Sequence, residues 1–295
     1  MIFPFIIIAV VFWASTFVGI RAALTEYNPI DIAVLRFIIS SIVLLFIAIP
    51  SKIRLPEKRD WFPFVLLGLV LFINMISLNY GMRTITAGET TLILSSSQLF
   101  QVLFAWLFLH ENISTRFLIG LFLCFSGITL IAFQNTIGFS LNIGVLFVLL
   151  AAITNAIYFV SQKPILKKYK PQEVISYALW IATLLMLPLG RNVVDVIGVV
   201  SLSSTIVVVY IGIAALVANL CWSKALSKIE ASRAAIFLYT VPVITIIIGF
   251  LWLNELPSLV SLFGGAIILG GVIISNMTKP STEPCLPPDA HSSGH

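Results

Sequence analysis

Charge is what this chain has least of. Asp, Glu, Lys and Arg make up 10% of its 295 residues, against 59% hydrophobic residues and a mean hydropathy of +1.08. That leaves too little polar surface to coat a soluble globule, so a soluble enzyme of this length is excluded. No Asp or Glu falls in the middle of an apolar run, which removes the carboxylate relays by which pumps and cation antiporters usually exchange protons for cargo. Cysteine is scarce as well. Cys124 and Cys221 lie inside apolar runs and Cys285 lies in the tail, so no pair is placed for an extracellular disulfide. With three scattered histidines and no phosphate loop, no metal, nucleotide or other cofactor is implied.

What the chain does have is apolar runs of roughly 20 residues, each long enough to cross a ~30 Å hydrocarbon layer as a helix. Charges, prolines and turn residues place ten of them: Phe3–Leu24, Ile30–Ile49, Trp61–Tyr80, Thr90–Leu109, Phe117–Phe133, Ile143–Gln162, Val174–Leu189, Thr205–Ala225, Ala234–Leu253 and Ser258–Asn276. The fold class is therefore all-α integral membrane. The first run has no basic region before it and no small-residue cleavage site after it, so it is expected to be retained as a helix. Residues 278–295 are rich in Pro and Ser, lack an apolar period and read as a disordered tail.

Ten spans put both termini on one side, and the basic residues divide unequally between the two sets of loops. Thirteen fall on the side of the termini, among them Lys52, Arg54, Lys58, Arg59 and the run from Lys163 to Lys170, against Arg21, Arg83 and Arg191 opposite. The excess predicts cytoplasmic termini; the expected location is a bacterial inner (plasma) membrane. The net charge of +5 follows from this topology and from attraction to anionic headgroups, so no nucleic-acid partner is implied.

The two halves match each other. A shift of 142 lays Ala9, Ala14, Phe17, Val18, Leu24, Tyr27 and Pro29 on Ala151, Ala156, Phe159, Val160, Leu166, Tyr169 and Pro171, with Arg21 on Lys163. A shift of 144 lays Ala87, Leu94, Leu109, Glu111, Ser114, Gly120 and Gly127 on Ala231, Leu238, Leu253, Glu255, Ser258, Gly264 and Gly271. Chance between two aliphatic sequences matches Leu and Ile, not Tyr, Pro, Glu, Ser and Gly in order. Residues 1–138 and 139–277 thus read as two five-helix repeats. An odd number of spans inserts the second copy upside down, the arrangement of secondary transporters with a midplane site between repeats.

Trp13-Ala14-Ser15-Thr16-Phe17, Leu35-Arg36-Phe37, the paired Leu109-His110-Glu111 and Leu253-Asn254-Glu255 turns, and the glycines after them resemble the drug/metabolite transporter superfamily. Within it they resemble the ten-span members with two EamA-type domains. The resemblance covers residues 3–276 and implies a membrane transporter for amino acids, other metabolites or drugs. Where the second copy has Pro242, the kink proline typical of the family, the first has Gln98, so a straighter fourth helix is expected there.

A midplane cavity needs polar or aromatic groups on one helix face, since lipid-facing positions cannot hold them cheaply. The candidate substrate-binding residues are Trp13 and Thr16 in the first span, Arg36 in the second, Asn74 and Tyr80 in the third, and Gln98 and Gln101 in the fourth. Asn155, Tyr158 and Gln162 follow in the sixth, Tyr177 and Trp180 in the seventh, Asn219 and Trp222 in the eighth, and Tyr239 in the ninth. For any single small hydroxyl or amide the plainer role is an interhelical hydrogen bond of about 0.6 kcal/mol. Arg36 sits about two turns inside its span, where an arginine costs about 2.5–3.5 kcal/mol if central. Snorkelling to headgroups or capping a neighbour's carbonyls is the plainer reading; clamping a substrate carboxylate is the sharper one.

Glu111 and Glu255 are expected to hold their turns ahead of the N-caps Ser114 and Ser258, and Arg83 and Glu89 to be exposed lip charges. The glycines Gly120/Gly127 and Gly264/Gly271 should allow close helix contact, between the copies or between protomers, in a monomer or homodimer. The functional expectation is alternating-access transport of a small organic solute, an exported amino acid or related metabolite, uncoupled or by exchange. Two alternatives stay open: efflux of organic cations, for which a buried acid would be expected, and an integral-membrane enzyme acting on lipid-linked substrates.

Overall fold

The computed structural model describes residues 3–48, 53–109, 115–133, 142–166, 168–191, 193–226, 237–238 and 240–276. Every regular element among them is helical, as lipid requires of a backbone that must satisfy its own hydrogen bonds. In chain order these are α1 (Phe3–Ala23), α2 (Pro29–Ala48), α3 (Trp61–Gly81), α4 (Ala87–Leu94), α5 (Ser97–Leu109) and α6 (Thr115–Phe133). They continue with α7 (Ile143–Leu166), α8 (Pro171–Met186), α9 (Val193–Val199), α10 (Leu202–Leu226), α11 (Thr240–Leu253) and α12 (Leu259–Asn276). Among the described residues seven helices are long and apolar enough to cross a membrane, α11 and α12 are shorter apolar helices, and α4 and α5 are two short helices separated at Ser95–Ser96. The protein is a multi-pass membrane protein.

Two elements depart from the sequence reading. The fourth span is not straighter for lacking proline: it breaks at Ser95–Ser96. Three consecutive serines compete with the backbone there. The Ser95 hydroxyl donates to the Thr91 carbonyl at 2.9 Å, and the Ser96 amide bonds the Ile93 carbonyl at 3.0 Å, tightening the turn and ending the α ladder. The short helix α9 between the seventh and eighth spans was not expected at all. The tail after Asn276 and the Glu111–Ser114 turn lie outside the described residues.

The helix directions can be read from three corners. Arg21, at the end of α1, donates to the carbonyl of Met82, just past the end of α3, at 2.8 Å. These two helices therefore run the same way, toward a face we call the far face. Just past the end of α7, Lys168 Nζ and the Tyr169 hydroxyl both reach Asp60 Oδ2 at 2.6 Å, directly before α3 starts. Thus α7 runs against α3 and against α1, its own equivalent in the first half. At the far face the Tyr27 hydroxyl meets Thr205 Oγ1 at 2.8 Å near the start of α10, so α10 likewise opposes α3. Tyr27 and Tyr169 are repeat equivalents performing one task at opposite faces.

The two halves also meet on an axis. Ser41 and Thr183, 142 residues apart and thus equivalent, bond hydroxyl to hydroxyl at 2.7 Å where α2 crosses α8. Along α6 and α12, Gly127 faces Gly264 and Gly120 faces Gly271, a crossing that exchanges equivalent residues when the halves are swapped. At Gly271 an added Cβ would lie 2.6 Å from the Gly120 carbonyl oxygen, so the backbones touch because neither residue has a side chain. Around these axes α1 packs on α10 and α11, while α7 packs on α3, α4 and α5, which repeats the same arrangement.

Candidate functional site

Helix α7 gives the clearest view of the interior. Val148, Asn155 and Gln162 form one heptad stripe whose ends are buried, whereas Leu146 and Leu150, on the opposite side, are exposed where lipid would lie. Asn155 is nonetheless partly accessible, and so is Tyr158 beside it. On α10, Asn219 is exposed although it lies one heptad from buried Gly212 and beside buried Ala215 and Trp222. Accessible polar groups on packed faces are what an internal chamber produces. Gln98 and Gln101, on the part of α5 that follows the break, are partly accessible too.

Other candidates have their polar groups committed elsewhere. The Asn74 amide donates to the Ala151 carbonyl at 2.7 Å and to Thr154 Oγ1 at 3.2 Å, tying α3 to α7. Thr16 donates to the Trp13 carbonyl at 2.7 Å within its own helix. The Tyr177 hydroxyl donates to the Arg54 carbonyl at 3.0 Å. Gln162 is buried, and Tyr80 stacks on Phe147 near the far-face end of α3.

The aromatics gather in two places. Trp13 and Trp222 pack with ring centroids 5.3 Å apart across α1 and α10. Tyr158, Tyr177 and Trp180 share a cluster with Phe64 between α3, α7 and α8, in which the buried Trp180 indole nitrogen has no hydrogen-bond partner among the described residues. Tyr239 lies outside the described residues.

Among the described residues Arg36 caps no carbonyl. About seven residues, or roughly 10 Å of helix, separate it from the start of α2. Among the described residues its contact is Nη1 to the Met75 sulfur at 3.5 Å, with no carboxylate in ion-pair range. It is surrounded by protein and still partly accessible, flanked along its face by buried Ile32, Ala33 and Ser40.

The helix ends near the far face are held by groups expected to act otherwise. Glu255 does not hold its own turn: its Oε1 accepts from Arg21 Nε at 2.9 Å, while Arg21 also donates to the carbonyls of Met82 and Arg83, joining the ends of α1, α3 and α11. Glu89 is buried, not a lip charge. It closes a capping box with Thr86 at the start of α4 and accepts from the Ser261 hydroxyl of α12. A membrane interior leaves an acid no cheaper option than a fixed set of donors. Matching of Arg21 with Lys163 and of Glu255 with Glu111 in the repeat was the available signal for a charge pair there; for the Ser15–Tyr210 contact at 2.6 Å, linking α1 to α10, there was none.

The outward corners are polar and exposed. Hydrogen bonds from the Ser201 amide, then from the Ser201 and Ser204 hydroxyls, hold the Glu26 carboxyl below the usual glutamate range. At the opposite face Asp60, then Glu57, raise the Lys168 ammonium above the usual lysine value. A cavity of about 380 Å³ beside this second corner, lined by Phe62, Leu66, Pro164 and Lys168, contains none of the candidate residues.

Comparison with known proteins fits a chain built from two copies of one unit. The model of the EamA-like transporter family matches this chain twice, over residues 1–133 and 142–277. The chain belongs to that family. The uncharacterized transporter YdfC of Bacillus subtilis (strain 168) is 34% identical over 88% of this chain and 86% of its own. A probable terminal-alkyne amino-acid exporter of Streptantibioticus cattleyicolor is 29% identical over 92% of each. An S-adenosylmethionine uptake transporter of Rickettsia bellii is 28% identical over 83% of this chain and 82% of its own. A solved crystal structure, 18% identical, superposes with a TM-score of 0.63 over 93% of this chain and 96% of that one, which shows the shared fold. The protein is a membrane-embedded transporter of small molecules and not an enzyme.

Proposed function

We propose that this EamA-like transporter exports a small zwitterionic metabolite, an amino acid or a close derivative, across a bacterial inner membrane by alternating access without proton coupling. The observation that carries the reading is the partial accessibility of Asn155 and Tyr158 on a face of α7 that is otherwise packed within the bundle. Amide and ring lining suits a solute with hydrogen-bonding and apolar parts. Two relatives bear names of cargo built on an α-amino acid, terminal-alkyne amino acids and S-adenosylmethionine, and one of these relatives is named as an exporter. The described acids all lie at helix ends or in loops, which speaks against a proton relay and against an organic-cation cargo. The excess of basic residues on the side of the termini supports cytoplasmic termini.

Counterflow of labelled amino acids in proteoliposomes tests this. Exchange should proceed without a proton gradient and should not concentrate solute when one is imposed; concentration driven by the gradient would overturn the uncoupled mechanism. Tyr158→Ala and Gln98→Ala should shift apparent affinity more than protein yield, and unchanged transport curves would remove both residues from the site.

A further inference from the structure

The deepest unpaired charge in the described structure is Arg36. Its guanidinium carries five N–H donors, yet among the described residues it meets only the Met75 sulfur, a weak acceptor. The interior polar groups of Asn74, Ser40, Thr183 and Glu89, by contrast, have oxygen or nitrogen partners. A permanent cation in a low-dielectric bundle is retained when something anionic reaches it, because alone it bears its full desolvation cost.

Its place in the fold says what that is. Arg36 lies on α2 between α3, which supplies Met75, and α10, whose Gly212 comes against the Arg36 backbone. These two helices are equivalents in the inverted halves, so Arg36 borders the space that the halves share. Gly212 lets α10 pack directly on α2 at this point, since an added Cβ would crowd both the Arg36 carbonyl and Ile39. The partner is not a lipid headgroup from the far face, because Met75 lies about six residues, or roughly 9 Å, inside the end of α3, at nearly the depth of Arg36 itself.

The geometry points to Arg36 as the anchor for the carboxylate of the transported solute, held through paired N–H donors, so that the carrier selects amino acids over their amides and amines. This deepens the transport reading above and rests on it. Planar guanidinium and planar carboxylate match in a two-point contact that an amide, with a single acceptor oxygen and no charge, cannot make. The contact also neutralises the chamber only when cargo is present, which favours exchange of loaded over empty carriers.

The test is competition in proteoliposomes that contain a labelled amino acid found to undergo counterflow. Unlabelled free acid, the corresponding carboxamide and the decarboxylated amine are compared as competitors on the unmodified protein. The acid should compete about tenfold or more better than either analogue. Arg36→Lys should keep part of this preference, whereas Arg36→Met should lose transport of the acid while its elution profile and melting stay normal. Equal competition by acid and amide, or an unchanged apparent affinity in Arg36→Met, would overturn the assignment. Should Arg36→Met fail to fold, the competition on the unmodified protein decides alone. Absence of counterflow for every solute in the panel would instead sink the transport reading, and this inference with it.

Discussion

Replacing Gly271 and its neighbour Gly270 by alanine, one at a time, isolates the helix seam that joins the halves. Both residues sit in α12 and both gain roughly 0.8–1 kcal/mol of helix propensity as alanine, so that contribution cancels in the comparison. Their surroundings differ. A Cβ on Gly270 meets nothing within 4 Å, whereas on Gly271 it would stand 2.6 Å from the Gly120 carbonyl oxygen, 3.1 Å from Leu123 Cβ and 3.2 Å from the Cys124 nitrogen. Ordinary contact begins at 3.4 Å, and two of these atoms are backbone, so α6 and α12 must part by roughly 0.8 Å along their crossing. Overpacking of this kind costs about 1–3 kcal/mol. Cys124 is buried at the seam and reports its opening directly. With Cys221 and Cys285 replaced by alanine, labelling of Cys124 by a maleimide in detergent micelles should be roughly 5- to 150-fold faster in Gly271→Ala than in Gly270→Ala. Equal labelling rates would refute the close-contact account of the seam.

Three further outcomes follow. Asn74→Leu should lower the yield and melting temperature by removing the bonds to Ala151 and Thr154, at about 0.6 kcal/mol each, and leave apparent cargo affinity unchanged; a raised Michaelis constant at normal stability would place Asn74 in the chamber instead. Ser41→Ala and Thr183→Val should be non-additive by about 0.6 kcal/mol in a double-mutant cycle of unfolding, because they share one bond on the two-fold axis, and strict additivity would deny that bond. Glu26 is held below its ordinary value of 4.5, so its contribution is complete above that pH and disappears as pH falls through the lower folded value. Amide protection at Ser201 and Ser204 should therefore be steady from pH 5 upward and fall on stronger acidification, and Glu26→Gln should abolish that acid-dependent loss; an identical fall in the variant would show the acid is not responsible.

Much of the architecture was legible because lipid imposes one dominant rule. A run of roughly 20 apolar residues has to be a helix, so most span limits agree with the structure within a few residues. Where they fail, a local competitor wins. The Ser95–Ser97 run breaks a helix that the missing proline suggested would be straight, and at the end of α7 the helix continues through Pro164 to Leu166, beyond Gln162, where charge suggested it would stop. The site was legible as a set of residue types and not as an arrangement. A helix face can be counted, but which neighbour it meets depends on how helices far apart in the chain pack, and that is how Asn74 came to bond α7 while Asn155 stays partly accessible.

By itself the sequence determined the class, the apolar spans and the internal repeat, since hydrophobic length and an in-order match of Tyr, Pro and Gly are properties of a linear chain. Only the tertiary structure decided which polar groups are satisfied. Arg21 finds Glu255 across 234 positions and Glu89 finds Ser261 across 172, whereas Arg36 finds only a sulfur among the described residues. In a low-dielectric interior an unsatisfied charge is the expensive exception, and whether a charge is satisfied depends on atoms that no local pattern brings together.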